Sequence, residues 1–331
     1  MKRTIILQIF LALLTVQNVS SQKDVTGFLE YGLNNAKVLS EQYLMPQNKM
    51  ISTTLSGGWF VTAKVHHLGG LDIKAGINYV FTPSDDFLFN VNDMITSGVL
   101  QNVTLTDNHI VMAPTVSKKF LQGQNRPSLD YNGEVTEMPN GTDFKSLLSP
   151  VVGLSVGISL NSEISFRYMI PLNDENNGKA SMYGISLKHS LKNYLPFLRR
   201  TPHLQMSLAG NYSGYKTSVD VSYRDQSGQS LSMEATGYGG KLLVGMDFPT
   251  FGFLGSAGYA VSESTYTLDG TFSDVPGEAT LNSPVIAEYD EGYIDLSLGV
   301  FFRFYNFRIN ASYSYGLYSM LNAGLAFEFG N

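Results

Sequence analysis

The stretch IDLSLGVFFRF, residues 294–304, decides the fold. Ile294, Leu296, Leu298, Val300, Phe302 and Phe304 fall on every second position, and Asp295, Ser297, Gly299 and Arg303 lie between them. A period of two is the signature of a strand with one apolar and one polar face. Tyr305-Asn306 turns the chain, and Phe307, Ile309, Ala311, Tyr313 and Tyr315 repeat the pattern. Leu321, Ala323, Leu325, Phe327 and Phe329 repeat it again.

Working outward, the same alternation runs through Leu71–Phe81, where Leu71, Ile73, Ala75, Ile77, Tyr79 and Phe81 oppose Asp72, Lys74, Gly76 and Asn78. It recurs in 152–160, in 164–170 after a tight Asn161-Ser162 turn, in 183–192 and in 204–212. A soluble sandwich rarely keeps a whole face this apolar over so many strands, whereas a barrel wall facing lipid must. Many stripes end in aromatic residues, as interfacial girdles require. The short connections at 161–162, 249–251 and 305–306 read as periplasmic turns, and the polar stretches 120–148, 172–180 and 270–288 as external loops. The expected fold is all-β, a transmembrane antiparallel barrel of about 12–14 strands, each of the roughly 9–11 residues that cross a bilayer when tilted. The count rests on two ambiguous regions. Gly57–His66 reads as a strand that makes the total odd, and 84–106 is long enough to hide two more.

Residues 1–21 read as a signal peptide: Lys2 and Arg3, an apolar run from Ile5 to Val16, and compact residues at Val19-Ser20-Ser21. No Cys follows, so no lipid anchor and no disulfide is expected. Without Lys2 and Arg3 the 22 basic residues become 20 against 28 acidic, a net charge of −8, which argues against a nucleic-acid partner. Charged residues make up 15% of the chain, against about a quarter in soluble domains. Tyr, Phe and Gly are abundant, with 19, 20 and 32 copies.

Asp24–Met45 does not alternate. Val25, Phe28, Leu29, Leu33, Leu39 and Tyr43 cluster at helical spacing, and Pro46 is read as the end of the element. Residues 22–53 are therefore expected to form an amphipathic plug helix, and residues 54–331 the barrel. The inward faces carry small residues such as Gly153, Ser155, Gly157, Ser186, Ser207 and Gly324. Small side chains leave space for a plug in the lumen, and they also fit a narrow barrel's curvature.

Three blocks carry a resemblance: DVTGFLEYGLNNAKVLSEQYL (24–44), GGWFVTAKVHHLGGLDIKAGINYVFTP (57–83) and YGISLKHSLKNYLPFLRRTPHLQMSLAGNY (183–212), followed by the terminal YSMLNAGLAFEF (318–329). In order and spacing the chain resembles a family of bacterial outer-membrane barrel proteins of unknown function. That resemblance implies a fold and a location in the cell outer membrane, and no activity. At the level of architecture the chain is also similar to long-chain fatty-acid transporter type barrels, which place an N-terminal hatch in the lumen. No residue motif carries that likeness.

No nucleophile–base–orienter set and no cofactor motif stands out, so no enzyme, cofactor or metal is expected. His66-His67 sits at an apparent turn, with its two side chains on opposite faces, and reads as solvated. Alternation puts Asp72, Lys74, Arg167, Lys188, Asp295, Arg303, Arg308 and Glu328 in the lumen, as a salt-bridge brace or a selectivity ring. The expected function is a plugged channel or transporter for small or hydrophobic molecules. An open non-specific porin, or a structural or assembly barrel serving another envelope protein, are the alternatives. Its partners would be outer-membrane lipids, a hydrophobic small molecule and, during biogenesis, the barrel-assembly machinery.

Overall fold

A computed structural model describes residues 22–116, 126–170 and 179–329. The expected signal peptide, parts of two external loops and Gly330-Asn331 lie outside the described residues. The alternating segments become ten strands: β1 (Leu71–Phe81), β2 (Ser146–Ile158), β3 (Ser162–Met169), β4 (Lys179–Ser190), β5 (Leu204–Tyr223), β6 (Gln226–Asp247), β7 (Phe251–Asp269), β8 (Val285–Phe304), β9 (Phe307–Tyr315) and β10 (Ser319–Phe329). Each pairs antiparallel with its neighbours in sequence, and β1 closes on β10 with Leu71 opposite Phe329 and Phe81 opposite Ser319. Closure pairs every strand on both edges, which a sheet in lipid requires.

The outward stripes form a continuous apolar belt. Leu298 is 70% exposed and Ile294 64% exposed, while their neighbour Asp295 is 2% exposed. Phe251, Phe304, Phe307 and Phe329 on β7 to β10, with Tyr194 and Phe197 in the β4–β5 connection, face outward at the end where the short turns lie, and Tyr79, Tyr168, Tyr183, Tyr212, Tyr238, Tyr259 and Tyr315 face outward toward the other end. These two girdles mark the interfaces of a bilayer. The molecule is an outer-membrane β-barrel. Beyond the second girdle β5 and β6 carry Lys216, Asp220 and Glu234 on their outer face, so the wall continues there into water.

That extension explains the strand number, ten instead of 12–14. Strands β5 to β8 run for 20, 22, 19 and 20 residues, about twice a bilayer crossing, and use up sequence that shorter strands would have divided. The two ambiguous regions are not wall. Residues 57–66 lie inside the lumen, and the exposed His67–Gly69 turn leads out of it into β1. Residues 84–106 belong to the β1–β2 insertion, which builds short helices and two small sheets over the loop end.

The N-terminal segment enters at the loop end. A 3-10 helix, Gln22–Tyr31, bends at Gly32 (φ +79°), where an added Cβ would lie 2.9 Å from the Tyr131 hydroxyl. Helix α1 (Gly32–Ser56) then descends through the barrel. Pro46 does not end it. Proline removes one helical hydrogen bond at a cost of about 3 kcal/mol in a helix interior, but here the chain is packed on every side: Met50 through Ser56 are all buried. Tertiary burial overrides the local breaker. An open porin with a displaced helix is not the arrangement seen.

Candidate functional site

The lumen is filled by the segment that runs from the N-terminal 3-10 helix to His66, and its two halves are held by different chemistry. In the loop-end half the contacts are apolar. Val25, Phe28, Leu29, Leu39 and Tyr43 are buried, and Leu33 packs at the margin, against Tyr215, Tyr223, Met233, Tyr266 and Leu268 of the wall. The β1–β2 insertion lies over them as a lid. Tyr31 donates to the Thr136 carbonyl (2.9 Å), Tyr43 to that of Asn140 (2.6 Å), and Asn35 exchanges two hydrogen bonds with the backbone of Gln101. At the rim, Arg224 donates two hydrogen bonds to Glu30 (3.0 and 2.6 Å), which hold its guanidinium above its ordinary pKa.

Halfway down, the last turn of α1 meets polar wall side chains. Carbonyls at a helix C-terminus lack intrahelical partners and favour cations. Arg167 of β3 donates to the carbonyls of Thr54 (3.0 Å), Leu55 (2.7 Å) and Gly57 (2.7 Å). Lys241 of β6 donates to the Ser56 carbonyl (3.0 Å) and to Asp295 of β8 (2.6 Å), and Tyr293 donates to the Ser52 carbonyl (2.7 Å). The wall therefore caps the plug from opposite sides.

Below this, ion pairs follow the wall around the turn end. Asp247 of β6 accepts from Arg303 of β8 (3.2 Å), and Arg303 also donates to Glu328 of β10 (3.0 Å). Arg308 of β9 links Glu328 to Asp72 of β1, with the Asp72 contact at 2.9 Å. Lys74 approaches Asp72 at 3.5 Å, and Lys188 of β4 pairs with Glu163 of β3 at 3.0 Å. His66, from the plug, joins the two arcs: its Nδ1 lies 2.7 Å from Glu163 and its Nε2 3.6 Å from Asp72. This corrects the solvated-turn reading, because His66 is buried. Strand parity does not apply to a segment that is not in the wall.

Glycines on the inner face give the plug its room. An added Cβ at Gly157 would lie 2.0 Å from the His67 carbonyl oxygen, and one at Gly184 would lie 2.6 Å from the Trp59 ring. Of the eight charged residues predicted for the lumen, Asp72, Lys74, Arg303, Arg308 and Glu328 come together, and Lys188 joins them through Glu163 and His66. Arg167 and Asp295 sit higher, against the helix end. Sequence reasoning missed His66, Glu163, Lys241 and Asp247. Glu163 shares the parity of Ser165 and Arg167, a signal obscured by its place beside a turn.

His66, Asp72 and Glu328 offer ligand atoms within 4.8 Å of one another. Arg308 already bridges the two carboxylates, and a divalent cation would have to displace it.

These features define an outer-membrane barrel occluded by its own N-terminal segment. The chain belongs to the family of unknown function DUF6588, whose profile matches residues 1–329. No curated protein matches it significantly. Among solved structures it is similar to Ail, the attachment invasion locus protein of Yersinia pestis, with 9% identity over 79% of this chain and 99% of that one and a TM-score of 0.31. It is also similar to the translocator domain of the autotransporter NalP from Neisseria meningitidis (13% identity, 91% and 99% covered, TM-score 0.32). A third is the Pseudomonas putida toluene transporter TodX (7% identity, 78% and 89% covered, TM-score 0.25). At these identities and scores the likeness extends to the barrel alone.

Proposed function

We propose that the protein is a plugged transporter, closed in the state described here, that admits small hydrophobic molecules from the loop end. The observation that carries this reading is the chemistry of the loop-end half of the lumen. The plug there presents Phe, Tyr and Leu, and the wall Met, Tyr and Leu, with Met169, Met182 and Met233 among the wall residues. Methionine and aromatic surfaces repack easily around apolar guests. Loosening the lid and the upper part of α1 would open a chamber suited to such a guest, while the charged turn-end half stays fixed. A hydrophilic porin would need the reverse, a polar loop-end lumen. The test is uptake of the apolar dye N-phenyl-1-naphthylamine by cells producing the protein. Faster uptake than in cells with an empty vector supports transport, and equal uptake removes it.

A second reading, a structural barrel that presents its external cap to another envelope protein, is favoured by the many bonds between Arg167, Lys241, Tyr293 and the helix end. It predicts dye uptake equal to that of the empty vector and an envelope protein that co-purifies with the cap.

A further inference from the structure

We propose that the lumen holds a site for a small inorganic anion of halide size, between the plug residues Gly58–Val61 and the wall. The site is a cavity of about 50 Å³ whose polar lining comes from Lys74, Arg167, Asn310, Asn322, Ser155 and Ser165. A single water needs roughly 10–15 Å³ of such space, so the cavity takes one monovalent anion with a water or two and excludes bulky organic ions.

The local state of Arg167 supplies the reason for an anion. Six cations of the wall face the plug: Lys74, Arg167, Lys188, Lys241, Arg303 and Arg308. Five carboxylates lie within ion-pair distance of them, Asp72, Glu163, Asp247, Asp295 and Glu328, and a sixth, Glu291, shares the inward parity of Tyr293 and Asp295 on β8. Each of the five is engaged by a cation within ion-pair distance, and Arg167 is the cation that forms no ion pair among the described residues. The helix end offsets only about half a charge. Arg167 is 6% exposed, lines the cavity, and its Nε–H has no hydrogen-bond partner. A buried cation without a counter-charge is costly. Lys74, whose side chain is 23% exposed, also lines the cavity, and the Asp72 it approaches is shared with Arg308. The reading is independent of whether the barrel transports anything.

Trp59 makes the site measurable. It is the single Trp of the chain, lines the cavity, and stacks with the Arg167 guanidinium 3.9 Å from its ring centre. The experiment titrates the refolded full-length protein with sodium bromide, replacing sodium gluconate at constant ionic strength, and follows Trp59 emission. Saturable quenching is expected. Lys74→Met should raise its midpoint by about tenfold, as the loss of one charge-assisted hydrogen bond would. This variant is preferred to any change at Arg167, which also caps α1. Crystals grown in bromide should show its anomalous signal beside Arg167 and Lys74. A linear response, saturation unchanged by Lys74→Met, or a cavity without bromide signal would overturn the proposal.

Discussion

The loop-end and turn-end halves of the lumen fill the same barrel with opposite materials. The first is a soluble-type core of Phe28, Leu39, Tyr43, Met233 and Tyr266, enclosed by wall that extends beyond the membrane. The second is a set of buried ion pairs, Asp247–Arg303–Glu328–Arg308–Asp72, closed through His66 onto Glu163 and Lys188. Apolar contacts are non-directional and tolerate sliding, whereas buried ion pairs are strongly disfavoured when a partner is lost. Below, a braced wall holds the plug through His66 and through the Lys188 bonds to the Thr62 and Lys64 carbonyls, and above, the plug is adjustable.

The largest expected effect breaks the anchored half. Arg308→Met leaves Asp72 and Glu328 buried with one cationic partner fewer each, and should cost about 3–5 kcal/mol. The combined change Arg308→Met, Asp72→Asn, Glu328→Gln removes the stranded charges and should recover much of that loss. Urea unfolding in lipid vesicles measures both. A single variant within experimental error of wild type would mean that the turn end is not the anchor.

In the adjustable half, Leu39→Ala should cost about 2–5 kcal/mol by leaving a cavity, whereas the volume-conserving Leu39→Met should cost less than about 1.5 kcal/mol. The comparison sharpens if Leu39→Ala also speeds uptake of the apolar dye and Arg308→Met does not. Equal uptake by both variants would erase the distinction between the halves.

The fit between plug and wall gives a smaller effect. Gly157→Val forces a side chain against the His67 carbonyl and should cost about 1–3 kcal/mol. Gly240→Ala, where an added Cβ meets nothing within 4 Å, should stay within about 0.5 kcal/mol of wild type. Equal unfolding midpoints for the two would mean that the segment after α1 does not press on β2.

What was legible in the sequence follows from what obeys a local period. The stripe from Ile294 to Phe304 depends only on strand geometry, so it showed the wall, and its parity placed Asp295 and Arg303 inside. The Val25–Tyr43 cluster similarly showed a plug. The rest depends on contacts between distant segments. Pro46 is carried within α1 by surroundings that no local rule contains. Lys241 follows Gly239-Gly240, which interrupt the apolar stripe and hide its parity. His66 owes its position to a segment that resembles a strand and runs through the lumen. The long strands β5 to β8 outlast the bilayer because the external cap needs walls, a demand that local periodicity does not register.

The smallest effect lies where the adjustable half reaches solvent. Glu30 and Arg224 tie the N-terminal 3-10 helix to the β5–β6 turn, with side chains 20% and 42% exposed. A pair this open to water contributes at most about 1 kcal/mol, and salt screens it. Glu30→Gln should therefore lower the unfolding midpoint slightly at low ionic strength and leave it unchanged in molar salt. Arg308→Met should keep its large penalty in both, because buried pairs are screened far less. A Glu30→Gln penalty that persisted in molar salt would place the rim under the same rules as the turn end. The plug would then be anchored along its whole length, which would weigh against opening from above.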